Sequence, residues 1–243
     1  MDRNWNDFLA PYEQAVSELK VKLRGIRKQF RDQKQHVPIE FVTGRVKPVE
    51  SILAKSQLRG IPLDRLEDEM SDIAGLRIMC QFVEDIHTVV ELLRARKDLK
   101  VIIERDYITN KKVSGYRSYH LVIEYPLQMV DGEKTILAEI QIRTLAMNFW
   151  ATIEHSLNYK YQGVFPEEIG QRLQRAAEAA YSLDEEMSSI REEIQEAQRL
   201  FSQGKRGPVE STTKLDHADF GSLDQELEQN FVISVEEQIE KEE

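Results

Sequence analysis

The stretch AEIQIRT, ending at Thr144, repeats with a period of two. Ala138, Ile140 and Ile142 fall on one side of an extended chain, and Glu139, Gln141 and Arg143 on the other. A strand sorts its side chains this way and a helix does not. A second stretch, DIAGLRIMCQFV, does the same: Leu76, Ile78, Cys80 and Phe82 alternate with Arg77, Met79 and Gln81. Strands with one oily face must bury it. The two stretches therefore require a sheet covered by helices on at least one side. The acid, amide and guanidinium on the other side of AEIQIRT are either a wet surface or the floor of an active site.

The covering helices are legible from 3.6-residue periodicity. Trp5, Phe8, Tyr12, Val16, Leu19, Leu23, Ile26 and Phe30 mark one helix, whose other face carries Lys20, Lys22, Arg24, Arg27 and Lys28. HVPIEFVTGRVKP reads as an extended or loop segment. Pro48 suits the first turn of a helix over VESILAKSQL that stops at Gly60. DIHTVVELLRARKD reads as a helix, KVIIERDYI as a strand and TNKKVSGYRS as a polar loop. YHLVIEYPL reads as a strand ended by Pro126, and DGEK as a hairpin-type turn into TILAEIQIRT. A helix follows from about Leu145 to Tyr161, with Ala146, Phe149, Trp150, Ile153 and Leu157 as its packing side. From Glu167 to Phe201 the apolar residues Leu173, Ala176, Ala180, Leu183, Met187, Ile190, Ile194, Ala197 and Phe201 form a heptad seam that must pack on a helix of this chain or of a partner. The fold class is α+β or mixed α/β, with residues 1–201 as one domain.

Composition narrows the partners. The net charge is −10 over 243 residues, but residues 216–243 hold ten acids against one base, a net of −9. The body is thus nearly neutral, and local basic clusters remain free to hold an anion. Residues 202–243 read as a mostly disordered acidic tail, with FVISV as a docking segment. No apolar run approaches the roughly 20 residues that cross a bilayer, so no membrane role is expected. The single cysteine, Cys80, sits in an apolar run and reads as a buried thiol in a reducing cytoplasm.

Lys47, Ser51, Lys55 and Arg59 are four residues apart and line one face of the helix after Pro48, with Arg45 just upstream. Cations and a hydroxyl leading from a helix N-terminus suit a polyphosphate, although a solvated basic face has the same pattern. Asp72 opens one strand and Glu139 lies on the polar face of another. If those strands are neighbours, the carboxylates are placed to share Mg²⁺. Otherwise Asp72 caps a turn and Glu139 pairs with Arg143. The loop NKKVSGYRSYH offers Lys111, Lys112, Tyr116, Arg117 and His120, an aromatic among bases that suits a nucleotide or an ordinary surface loop. Asn148, Ala151, His155 and Asn158 form a polar stripe with a small residue within it. None of the five histidines is followed by aspartate, which disfavours a histidine–aspartate phosphohydrolase.

EFVTGRVKPVESI, DIAGLRIMCQF, SGYRSYHLV, EIQIRTLAMNFWATIEHSLNYKY and the long heptad helix together resemble the RelA/SpoT-type (p)ppGpp synthetases, in their stand-alone small alarmone synthetase branch. The resemblance covers roughly residues 5–200. Long members usually have His where this chain has Asn148, and the acidic tail lies outside the pattern. The resemblance implies a nucleotidyltransferase-like mixed sheet flanked by helices. It also implies transfer of pyrophosphate from ATP to the 3′-hydroxyl of GDP or GTP in the stringent response, with AMP leaving. Glu139 would be the base or a metal-held activator, with Mg²⁺ on Asp72 and Glu139. Lys47, Ser51, Lys55 and Arg59 would line the ATP phosphates, and Arg45 and Arg77 would sandwich adenine. Tyr116 would stack on guanine, with Lys112 and His120 near the acceptor phosphates and Gln141, Arg143 and Asn148 ordering the acceptor side. Similar proteins form tetramers, some stimulated by their own product between subunits; Lys20, Arg24, Phe41 and Thr43 are the candidates for that site. The rival expectations are nucleotidyl transfer to another acceptor and a non-catalytic nucleic-acid-binding protein.

Overall fold

The computed structural model describes residues 4–160 and 166–204. Five strands form one mixed sheet in the order β1-β2-β5-β4-β3, with β1 Phe41–Val46, β2 Ala74–Cys80, β3 Lys100–Asp106, β4 Tyr119–Met129 and β5 Gly132–Thr144. β2 and β5 run parallel, and the other neighbouring pairs run antiparallel. Among the described residues six α-helices accompany them: α1 Trp5–Asp32, α2 Val49–Arg59, α3 Leu66–Glu69, α4 Val83–Arg94, α5 Leu145–Lys160 and α6 Glu167–Gly204. The chain divides into two compact units, Met1–Glu193 and Ile194–Glu243. The described part of the second, residues 194–204, is helical.

The period of two in β2 and β5 sets the layers. Leu76, Ile78, Ile140 and Ile142 share one face with Val42, Leu121 and Ile123, and this face is buried. Tyr12, Leu19 and Leu23 of α1 and Ile86, Val89 and Leu93 of α4 close over it. Cys80 is buried in the same core, and that burial pushes its thiol well up from the ordinary value. The opposite face carries the polar row. α2 ends as its sequence requires: Gly60 takes the left-handed conformation at φ 65°, and its N–H returns to the last carbonyls of the helix.

Several expectations change, among them the hairpin turn, which is Val130–Asp131 and not DGEK. β4 does not stop at Pro126 but runs to Met129, and Pro126 pairs opposite Thr135. β3 reaches only as far as Glu124 along β4, so at Pro126 the strand is an edge, where a missing N–H is tolerated. The packing side of α5 is Met147, Trp150 and Ala151, whereas Phe149, Ile153 and Leu157 point outward, Phe149 being 67% exposed. The heptad seam of α6 divides: Leu173 and Ala180 pack against Trp150 and Ala177, whereas from Leu183 to Ile190 the seam does not turn inward. Ala177, Asp184 and Ser188 face inward instead, and Leu183, Met187 and Ile190 stand exposed. Asp184 accepts a hydrogen bond from Thr144 Oγ1 at 2.6 Å, and Ser188 donates to Glu84 at 3.1 Å, so polar partners distant in sequence fix the rotation of the helix. The acidic tail, the FVISV segment, Tyr161 and the Asn158 side chain lie outside the described residues.

Candidate functional site

The polar face is assembled by register. Thr43 of β1, Arg77 of β2, Gln141 of β5, His120 of β4 and Arg105 of β3 lie in one row across the sheet. In the next row Arg45, Gly75, Glu139 and Val122 are neighbours. Gly75 leaves the floor beside Glu139 open: a Cβ there would meet only the Arg45 carbonyl oxygen, at 3.8 Å. Three guanidiniums gather on this face. Burial pushes Arg77 down to about 10, and the neighbouring charges of Arg143 and Arg45 push the same way. A cluster that resists its own positive charge is a ready site for an anion.

Asp72 sits in the turn before β2, close enough for its charge to act on Glu139. Its Oδ2 accepts from Lys47 Nζ at 3.0 Å and from Lys55 Nζ at 2.5 Å. Lys47 is anchored in turn by its backbone N–H, which donates to the Ile73 carbonyl at 2.8 Å. Burial works to raise the Asp72 carboxyl, but the two lysines hold it below the ordinary carboxylate value. Asp72 Oδ1 is buried and has no hydrogen-bond partner. Such an oxygen, beside a second carboxylate, fits a hard divalent cation. Mg²⁺ takes one or two carboxylates and leaves its other positions to phosphate and water. Among the described residues no group of three or more His, Cys, Asp or Glu side chains gathers as an all-protein cage.

Glu139 takes partners other than Arg143. His120 Nδ1 lies 3.1 Å from its Oε1, and Gln141 Nε2 donates to its Oε2 at 2.9 Å. Burial raises this carboxyl, and the bonds from His120 and Gln141 more than offset it, so Glu139 titrates below its ordinary value. His120 Nε2 is 2.8 Å from the Tyr116 hydroxyl. Arg143 Nη2 donates to that hydroxyl at 2.6 Å and to Gln141 Oε1 at 2.7 Å. Lys112 Nζ hangs 4.8 Å from the ring centre of Tyr107 and 5.0 Å from that of Tyr116.

The loop that carries Tyr116 is docked on α6. Gly115 adopts φ +87°, and a Cβ there would stand 2.6 Å from the Ala177 Cβ. Arg117 lies 4.1 Å over the Tyr181 ring and donates to Glu178 at 2.9 Å, while Lys111 donates to the same carboxylate at 2.6 Å. Trp150 of α5 donates to the Leu173 carbonyl at 2.9 Å, joining the two helices behind the loop.

The family model described as "Region found in RelA / SpoT proteins" matches residues 44–164. The chain is 66% identical over 206 residues to the GTP pyrophosphokinase YjbM of Bacillus subtilis, covering 85% of this chain and 97% of that one. It belongs to the RelA/SpoT family. Among solved structures of the family, small alarmone synthetase 1 from Bacillus subtilis bound to its product pppGpp superimposes with a TM-score of 0.77 at 66% identity, covering 80% of this chain and 100% of that one. The same synthetase bound to AMPCPP gives a TM-score of 0.70 at 62% identity, with the same coverage.

Within this RelA/SpoT chain, the polar sheet face gathers Arg45, Arg77, Glu139, Gln141, Arg143 and His120, with Asp72, Lys47 and Lys55 at its rim. Ser51 and Arg59 stand exposed on α2. Asn148 lies in the first turn of α5 with its Oδ1 buried and without a partner. Lys20 is half-buried and Arg24 exposed on α1, and Phe41 and Thr43 lie on β1, the edge strand that α1 covers. Sequence reasoning missed the bond between His120 and Glu139. The hairpin contained the signal: its two-residue loop, Val130–Asp131, fixes the register that sets His120 opposite Gln141 and diagonal to Glu139.

Proposed function

We propose that the chain transfers pyrophosphate from ATP to the ribose 3′-hydroxyl of GDP or GTP, making (p)ppGpp and releasing AMP. The observation that supports this reading is a pair of acids at one open sheet face, near enough for the Asp72 charge to act on Glu139: Glu139 has donors on both oxygens, and Asp72 is held by two lysines with one oxygen bare. The names of the similar proteins, a GTP pyrophosphokinase and an alarmone synthetase, point the same way.

In this reading the acceptor ribose lies over Glu139, in the space that Gly75 leaves open. The carboxylate takes the proton from the 3′-hydroxyl as its oxygen attacks the β-phosphorus of ATP, and the bond to the α-phosphate oxygen breaks to free AMP. Lys47 and Lys55 exchange their contact with Asp72 for the triphosphate, so the charge that builds on the transferring group meets cations already in place. Arg45 and Arg77 hold the adenine side. Tyr116 stacks on guanine, and Lys112, Gln141, Arg143 and Asn148 order the acceptor. Asp72 and Glu139 would hold Mg²⁺, which would neutralise phosphate charge and orient the oxygens.

The exposed line Leu183, Met187 and Ile190 on α6 is the proposed assembly face of a homotetramer. Lys20, Arg24, Phe41 and Thr43 are the proposed binding site for a stimulating product nucleotide. Incubation with Mg²⁺, ATP and GDP tests the central proposal. AMP formed in equal amount with a 3′-pyrophosphorylated guanosine nucleotide is the expected result. Free pyrophosphate with a nucleotidylated acceptor would instead establish nucleotidyl transfer.

A further inference from the structure

The bonds around Glu139 close into a ring of five side chains, and the ring has a direction. It begins at Arg143, whose guanidinium can only donate. One Nη2 hydrogen goes to the Tyr116 hydroxyl and the other to Gln141 Oε1. The ring ends at Glu139, whose ionised carboxylate can only accept. Between these ends a neutral His120 leaves one place for each hydrogen. The Tyr116 oxygen accepts from Arg143 and turns its own hydrogen to His120 Nε2, 2.8 Å away. A neutral imidazole that accepts at Nε2 carries its hydrogen on Nδ1, and Nδ1 faces Glu139 Oε1 at 3.1 Å. On the other arm Gln141 accepts through Oε1 and donates through Nε2 to Glu139 Oε2 at 2.9 Å. Each arm therefore delivers one donor to one carboxylate oxygen.

The ring is built into the protein. His120 and Arg143 are buried, and so is Ser118, which accepts from Arg143 Nε at 3.2 Å. The Tyr107 ring stands edge-on to His120 at 5.2 Å and to Tyr116 at 6.1 Å, which fixes both. The ring passes through the hydroxyl of the side chain whose aromatic face is read as the guanine platform. That hydroxyl has no part in stacking.

We propose that the Tyr116 hydroxyl and His120 are positioning residues for Glu139: the phenol ring receives the acceptor base, and its hydroxyl, acting through His120, aims the carboxylate at the acceptor's ribose. Seating a base on the ring then sets the phenol, the phenol sets the imidazole, and the imidazole sets the general base. This rests on the reading of Glu139 as base and Tyr116 as guanine platform.

Tyr116→Phe separates the two roles, because it keeps the ring and removes the hydroxyl. Steady-state rates with GDP varied at saturating ATP should show kcat lowered by about tenfold or more. The KM for GDP, and its Kd by calorimetry, should stay within about twofold. His120→Asn, whose amide can occupy the place of Nδ1–H, should retain more kcat than His120→Gln. In a Glu139→Gln background, Tyr116→Phe should have no further effect, because the group that it positions is gone. An unchanged kcat in Tyr116→Phe, a kcat loss matched by a weaker GDP Kd, or equal losses in the wild-type and Glu139→Gln backgrounds would each overturn the proposal. A wild-type protein that makes no AMP from ATP and GDP would sink the functional reading itself, a different result from any of these.

Discussion

Asp72 turns one oxygen to two lysines and leaves the other bare, and Glu139 has a donor on each oxygen. The difference suits the bare oxygen of Asp72 to the proposed ion and the fixed carboxylate of Glu139 to the proposed role of base beside it. Glu139→Gln keeps the volume and the bond from Gln141 but removes the proton acceptor. Its turnover should fall by roughly 10²–10⁴, the range of general-base contributions, while ATP and GDP bind within a few-fold of wild type. Single-turnover rates alongside equilibrium binding check this, and near-normal turnover would remove Glu139 from its role. At this scale the sequence was informative about residue type and less so about partners. The four-residue spacing of Lys47, Ser51 and Lys55 is visible in the chain, but the attachment of both lysines to one oxygen of Asp72 depends on a turn 17 residues past Lys55. Pairing of Glu139 with Arg143 looked natural because they share a strand face. The structure inserts Gln141 between them, since side chains two residues apart on a strand are nearest neighbours.

Among the elements, α6 departs most from its sequence pattern. Its apolar residues are spaced as a seam, yet past Ala180 the helix meets its own chain through Asp184 and Ser188, while Leu183, Met187 and Ile190 stand exposed. A periodicity reading ranks residues by oiliness and overlooks a line of small and polar ones whose partners, Thr144, Glu84 and the Gly115 turn, lie 40 or more residues away. The misassigned side of α5 has the same origin. The Gly115 contact makes the loop's dependence on α6 testable. Gly115→Ala adds a Cβ at 2.6 Å from Ala177 in a left-handed backbone, so the loop must lift, and the KM for GDP should rise several-fold with little change in that for ATP. Adding Ala177→Gly should restore part of the loss, since it removes the clash but not the backbone strain. An effect confined to ATP would disconnect the loop from the acceptor. On the outer side, Met187→Lys with Ile190→Lys should lower the particle mass measured by light scattering while the circular dichroism of the fold persists. An unchanged mass would assign assembly to another face.

For the molecule as a whole, stability should depend on pH through Asp184. Burial raises this carboxyl to about 6, although the Thr144 hydroxyl opposes the rise. A carboxyl whose folded value lies above its unfolded value of 3.8 takes up a proton on folding. Its contribution therefore worsens as pH climbs from about 4 to about 6, then stays as a constant cost on the order of 3 kcal/mol. Asp184→Asn can still accept from Thr144 and carries no charge, so its melting temperature should exceed wild type more at pH 7.5 than at pH 5. A difference independent of pH would show that the ionised form is not the cost. The layer order of the sheet was within reach of the sequence, because the period of two in β2 and β5 dictates it. The strand order was not, because nothing local says that β5 lies between β2 and β4. That placement governs how the protein can be made. The last strand to leave the ribosome fills the middle of the sheet, so a nascent chain cut short before Gly132 presents two naked strand edges with a gap between them, a template for sticking to its neighbours. Fragments ending there should collect in inclusion bodies, and catalysis should switch on abruptly during synthesis rather than grow with chain length.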